Sequence, residues 1–137
     1  ANLYLSLINN LKYVIVDIPP SINISYNELK HIYKEKKFFI AIDVKTKEEL
    51  TLIIEEFDVV FIFPHQLNLL DENFFDISIM IGVTLEMDPK VVKKYMHFVN
   101  LLSKSLYMKV FKYAGLPFSF YKYLLFSILY LNSNGGR

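Results

Sequence analysis

Cysteine is absent from these 137 residues, and only four glycines occur among them. Without a thiol the chain has no disulfide, no thiolate zinc site and no cysteine nucleophile. That composition suits a reducing compartment, and a cytoplasmic setting is expected. The glycines are Gly82, Gly115, Gly135 and Gly136, and none sits in a G-x-G turn. Charge of one sign is lacking as well, since 15 basic side chains face 14 acidic ones for a net charge of +1. No basic stripe argues for nucleic acid, and Lys34-Glu-Lys-Lys37 reads as a solvated helix end. Long hydrophobic runs are missing too. Residues 1–18 are interrupted by Asn9, Asn10 and Lys12, and no small-residue cleavage site follows. Residues 121–131 are apolar apart from Lys122 and Ser127, but a bilayer span needs about 20 residues. That stretch is expected to be a buried helix or strand, or a contact surface with another domain.

What the chain does have is apolar mass, with 53% hydrophobic and 16% aromatic residues. Its size predicts one domain with a real core, spanning 1–131, with a polar, glycine-rich flexible tail at 132–137. Helix-period and strand-period segments alternate. Residues 2–11 suggest a short helix. Tyr13-Val-Ile-Val16 is a β-branched and aromatic run that Pro19-Pro20 cannot continue. Ser21 or Ser25 is expected to cap the next helix, Ser25 with Glu28 at capping-box spacing. Leu29, Ile32 and Tyr33 form its inner face. Phe38–Ile42 reads as a strand. Thr46 and Glu49 suggest a second capping box, ahead of a helix facing inward through Leu50, Ile53, Ile54 and Phe57.

The most informative stretch follows. Two apolar runs, 59–63 and 77–81, each come after an Asp and end in polar or turn-forming residues. Near-continuous apolar strands read as parallel strands buried on both faces. The reading makes 64–75 a loop. Asp88-Pro89 starts a helix, with Asp as cap and Pro at its first position, and Val92, Tyr95, Met96, Val99 and Leu102 keep its period. Leu106–Phe111 is the last clear strand. Strands alternating with helices predict an α/β fold, a doubly wound and mostly parallel sheet holding 13–17, 59–63, 77–81 and 106–111 together. Ligands bind just beyond the carboxyl ends of such strands, so the site is sought there.

Tyr13-Val-Ile-Val-Asp-Ile-Pro-Pro20, Phe61-Ile-Phe-Pro-His-Gln-Leu67, the Phe75-Asp76 strand entry and Thr84-Leu-Glu-Met-Asp-Pro89 occur in this order. The set resembles the sugar O-methyltransferase branch of the class I S-adenosylmethionine-dependent methyltransferases, from about residue 1 to residue 112. The resemblance implies a Rossmann-like methyltransferase fold. It also implies that the chain begins just after the place of the family's first strand and glycine-rich turn, so that the domain is N-terminally incomplete. The implied activity is methylation of a hydroxyl on a sugar or related small molecule, with S-adenosylmethionine as cofactor.

The resemblance also distributes roles. Asp17 falls on the cofactor ribose, the alternative being an Asp that caps the next helix or a turn. Gln66 follows the strand beside the adenine ring, where a side-chain amide pairs with the base edge; the alternative is a solvated loop amide. Gly82, Val83 and Thr84 pass along the methionine part, and Gly82 suits a close approach or a positive φ. Glu86 faces the acceptor pocket, so Glu86 or His65 is the expected general base; the alternative for Glu86 is a residue that helps cap the next helix. His31 and His97 read as packing or surface residues, and no His/Asp/Glu spacing makes a metal site. Ser103 and Ser105 have no acid–base partner motif. A second class of function stays open, a degenerate non-catalytic domain serving as a binding or assembly module through 116–131, by homo-oligomerisation or contact with another domain. A third is another nucleotide-binding α/β enzyme, such as a dehydrogenase.

Overall fold

A computed structural model describes residues 2–82 and 87–109. The expected contact surface at 116–131, the tail at 132–137 and the last two residues of the 106–111 strand lie outside them. The chain divides into two compact units, the first ending at Leu70 and the second beginning at Asp71.

In the first unit the elements run α1 (Asn2–Leu7), β1 (Tyr13–Val16), α2 (Ser21–Ile32), β2 (Phe38–Ile40), α3 (Lys47–Glu56) and β3 (Val59–Ile62), followed by a 3-10 helix at Pro64–Leu69. Both β1 and β2 pair with β3 in parallel, giving the order β1–β3–β2. Helices carry the chain between successive strands, as parallel pairing requires. The central strand Val-Val-Phe-Ile is buried at every position, as its uninterrupted apolar run predicts. Val59 and Phe61, two residues apart and hence on one face, join Leu5 of α1 and Ile22 and Leu29 of α2 in one core. Tyr13, Ile15, Tyr26, Tyr33, Phe38 and Ile40 pack around it.

Several local expectations need correction. Helix α2 starts earlier than a cap at Ser25 would allow: Pro20 holds the N-cap position with no side-chain bond, and Ser25 lies inside the helix. The carbonyl of Pro20 instead receives the amides of Asn23 and Ile24. The buried stripe of α2 runs through Ile22 and Leu29, with Tyr26 and Tyr33 beside it, while Ile32 is 46% exposed. Residues 22, 26, 29 and 33 share a face at 3.6 residues per turn, and the core needs that face. The strand at 38–42 stops at Ile40, although the Ala41 amide still reaches the Phe61 carbonyl at 2.9 Å. Helix α3 begins as expected, with the Thr46 hydroxyl accepting from the Glu49 amide at 3.3 Å and with Leu50 and Ile54 buried.

The second unit has β4 (Ser78–Ile81), α4 (Pro89–Leu102) and β5 (Leu106–Lys109). Asp88 caps α4, its carboxylate accepting from the Lys90 amide at 2.7 Å, with Pro89 at the first helical position. Strands β4 and β5 are parallel in register Ser78↔Leu106 to Ile81↔Lys109, and Phe75↔Ser103 adds a bridge ahead of them. Met80, Val92 and Met96 form the core, with Met87 and Met108 against it. All four methionines of the chain thus meet here, flexible side chains that fill irregular gaps. Pairing among the described residues forms two ladders, three strands in one and two in the other, instead of one continuous sheet. The expectation of one ladder rested on strand type alone, and strand type does not specify partners.

Tyr13 supplies a pH test of this packing. Burial raises its phenol above the ordinary 10.0, helped by the neighbouring Tyr4, whose ring stacks on it at 6.4 Å. A group whose folded pKa is raised adds stability that is complete below the unfolded value and lost as pH climbs through the folded one. Denaturation midpoints should therefore fall above about pH 10, and less steeply in Tyr13→Phe. An identical alkaline fall in both proteins would show that Tyr13 is not responsible.

Candidate functional site

The parallel register brings the carboxyl ends of β1, β2 and β3 to one edge of the first unit. Val16 pairs with Ile62, and the Asp17 amide extends the ladder by donating to the Ile62 carbonyl at 3.3 Å. Asp17 is half-buried there. Its Oδ1 accepts from the Ile18 amide at 2.8 Å, a local turn bond. It does not cap α2, whose N-cap is Pro20. A carboxylate offers about four acceptor positions, so one turn bond leaves capacity for two hydroxyls.

The segment after β3 departs most from the sequence reading. Residues 64–69 are a 3-10 helix, not part of a loop. Pro64 sets its first φ, and Phe63 before it is extended, at φ −91° and ψ 154°, as a residue before proline prefers. Gln66 then closes the turn reciprocally. Its amide N–H donates to the Phe63 carbonyl at 2.9 Å, while its Oε1 accepts the Phe63 N–H at 2.8 Å. The side-chain Nε2 donates to the carbonyls of Ala41 at 2.7 Å and Val44 at 2.9 Å.

Gln66 is therefore neither a base-reading amide nor a solvated one. It is 1% exposed, and both N–H donors are committed to backbone. A purine edge has nothing left to pair with, which corrects the role assigned from the resemblance. Nothing in the local sequence separates a Gln that turns inward from one that turns out. The only available signal was its place three residues after Phe63, the spacing at which a Gln side chain returns to the N-cap amide.

His65, next to it, is exposed. Its ring lies over that of Phe63, with centroids 5.9 Å apart and planes within 16°. The edge thus presents a flat, polar-rimmed ring near the end of β3. Asp43, exposed in the segment after β2, is a second carboxylate at this edge. Sequence reading passed over it, although Ile-Asp after an apolar run repeats the pattern of Val16-Asp17.

Gly82 belongs to the second unit. Its φ of 72° lies in the left-handed region that only Gly enters freely, and its amide donates to the Lys109 carbonyl at 3.0 Å. Val83, Thr84 and Glu86 lie outside the described residues. The structure therefore gathers Asp17, His65 and Gln66 at one edge of the first unit. Ser103, in the second unit, shares a hydroxyl hydrogen bond with Ser78, and the adjacent Lys104 pairs with Asp76 at 2.7 Å. Among the described residues no group of three or more His, Asp or Glu is placed to hold a metal ion. No helix among them is long and apolar enough to cross a membrane. Comparison with family models, with curated proteins and with solved structures finds no match to this chain.

Proposed function

We propose that this chain is an S-adenosylmethionine-dependent O-methyltransferase domain of Rossmann-like, doubly wound type, acting on a hydroxyl of a sugar or related small molecule. The observation that carries the reading is that β1 and β3 run parallel, so that their carboxyl ends share one edge. This arrangement sets the Asp17 carboxylate and the His65 ring at the same edge of a parallel sheet, the edge at which such sheets bind nucleosides.

The side chains suit two parts of that cofactor. Asp17 keeps acceptor capacity for a pair of ribose hydroxyls, and His65 offers a flat ring to the base. The amino-acid end finds no such match, since the chain has no G-x-G turn to bring a helix N-terminus against its carboxylate. When bound, S-adenosylmethionine supplies an electrophilic methyl group on a sulfonium. The protein's share is to hold the acceptor oxygen in line with that carbon and to receive the hydroxyl proton. Glu86 is the first candidate for that proton and His65 the second.

Calorimetric titration tests this directly. The 137-residue chain alone should bind S-adenosylmethionine weakly, and low-micromolar affinity would mean that the site is built differently. In the protein that binds well, Asp17→Ala should lose about 1.5–3 kcal/mol of cofactor affinity, the worth of hydrogen bonds to a charged group. Undiminished affinity would remove Asp17 from the ribose and the reading with it.

One observation favours the second reading, a non-catalytic domain that serves as a binding or assembly module. In the 3-2-1-4-5-6 order of doubly wound dinucleotide folds, the second and third strands are neighbours. The resemblance makes β1 and β2 those strands, yet each of them pairs with β3. Under the module reading, substitutions at Asp17, His65 and Glu86 leave partner binding unchanged.

A further inference from the structure

We infer that Gln66 is a positioning residue that locks the segment after β2 to the turn after β3, so that the two move as one at the carboxyl edge. The inference rests on the proposed function only in taking this edge as the binding edge. Gln66 is the one buried polar side chain among the described residues. Its amide group joins three backbone sites, the Phe63 N–H on its own turn and the Ala41 and Val44 carbonyls more than twenty residues away. A planar amide meets all three only when the two segments hold one relative position. Ala41 and Val44 are themselves buried, so water does not readily replace the lost donor.

The functional consequence comes from the neighbours. Asp43 lies between the two tied residues of one segment, and His65 lies beside Gln66 on the other. Both are exposed, while the tie between them is not. An edge-binding ligand that orders His65 therefore orders Asp43 as well, without touching the buried amide.

Hydrogen exchange on the intact 137-residue chain tests this. In Gln66→Leu, protection at Phe63, at residue 66 and at Ile42 should fall by roughly tenfold or more, while Val60 and Phe61 in β3 stay within about twofold. Gln66→Glu gives a readout that simple packing would not move. An ionised carboxylate has no donor and faces two carbonyl oxygens, whereas the protonated acid donates to one of them. Its protection at Ile42 and Phe63 should thus recover toward the parent protein as pH falls through the carboxyl titration. The ionisable residues of the strand ends and the segments that adjoin the tie are Asp17, Asp43, Lys45, Lys47, Glu48 and His65. All are present in the parent, whose own pH series removes their contribution.

Equal loss across β1 and β3 would overturn the proposal, because Gln66 would then be only a stability contact. Loss at Phe63 with Ile42 unmoved would also overturn it, since the two segments would not be coupled. The exchange experiment contains no ligand, so its failure bears on the tie alone, while the calorimetric titration bears on the methyltransferase reading alone.

Discussion

Phe61→Ala should destabilise the first unit by about 3–5 kcal/mol, the range for truncating a fully buried Phe. Phe61 is 0% exposed in the central strand, with Ile15 and Ile40 as its register partners on either side. Tyr26 meets its ring edge-on at 5.7 Å, and the same Tyr26 meets Phe38 at 6.1 Å. Removing the ring opens a cavity at the meeting point of α2 and all three strands, where no single neighbour can close it. Domains of this size have only about 5–15 kcal/mol of stability to lose. Urea unfolding followed by circular dichroism should therefore show a midpoint displaced far toward zero denaturant. The control is Leu52→Ala, equally apolar but 66% exposed on α3, which should stay within about 0.5 kcal/mol of the parent. A shift below about 1 kcal/mol for Phe61→Ala would mean that the core at β3 is not packed as described.

Glu86→Gln should lower turnover by about 10²–10⁴-fold in the active protein, the usual contribution of a positioned general base. Cofactor affinity should stay nearly constant, because the amide keeps the size and polarity of the acid and loses only the ability to take a proton. That split between turnover and binding marks a group that acts in the transition state. Asp17→Ala is predicted to do the reverse, so the two variants measured side by side separate binding from proton transfer. If Glu86→Gln turns over normally, the role of base passes to His65, and His65→Gln becomes the decisive variant. If neither matters while binding to a protein partner persists, the module reading replaces the enzyme.

The contrast between Asp17 and Gln66 shows what a linear reading can carry. Asp17 was placed from its neighbours alone: a β-branched run before it and two prolines after it leave little choice but a strand end. Gln66 stood at an equally plausible position, yet its amide turned inward. The partners that decided this, Ala41 and Val44, are more than twenty residues away, and no local pattern encodes them. Ile22 and Ile32 make the same point within one helix. Both lie in α2 and both are isoleucine, but one is buried and the other is not. Periodicity supplies a stripe, and the sheet chooses which side of the stripe it meets.

What the amino-acid sequence settled by itself was local and steric. The apolar run 59–63 contains a strand buried on both faces, Asp88-Pro89 starts a helix, Thr46 caps one, and Gly82 permits a positive φ. Each follows from side-chain shape or hydrogen-bonding capacity within a few residues. Tertiary structure alone decided that β3 lies between β1 and β2, and that strand pairing falls into two ladders. It also decided that the turn after β3 is held by a buried amide. Those outcomes depend on which surfaces meet across the fold, because a parallel strand offers the same backbone hydrogen bonds to any neighbour, and only packing of the side chains selects among them.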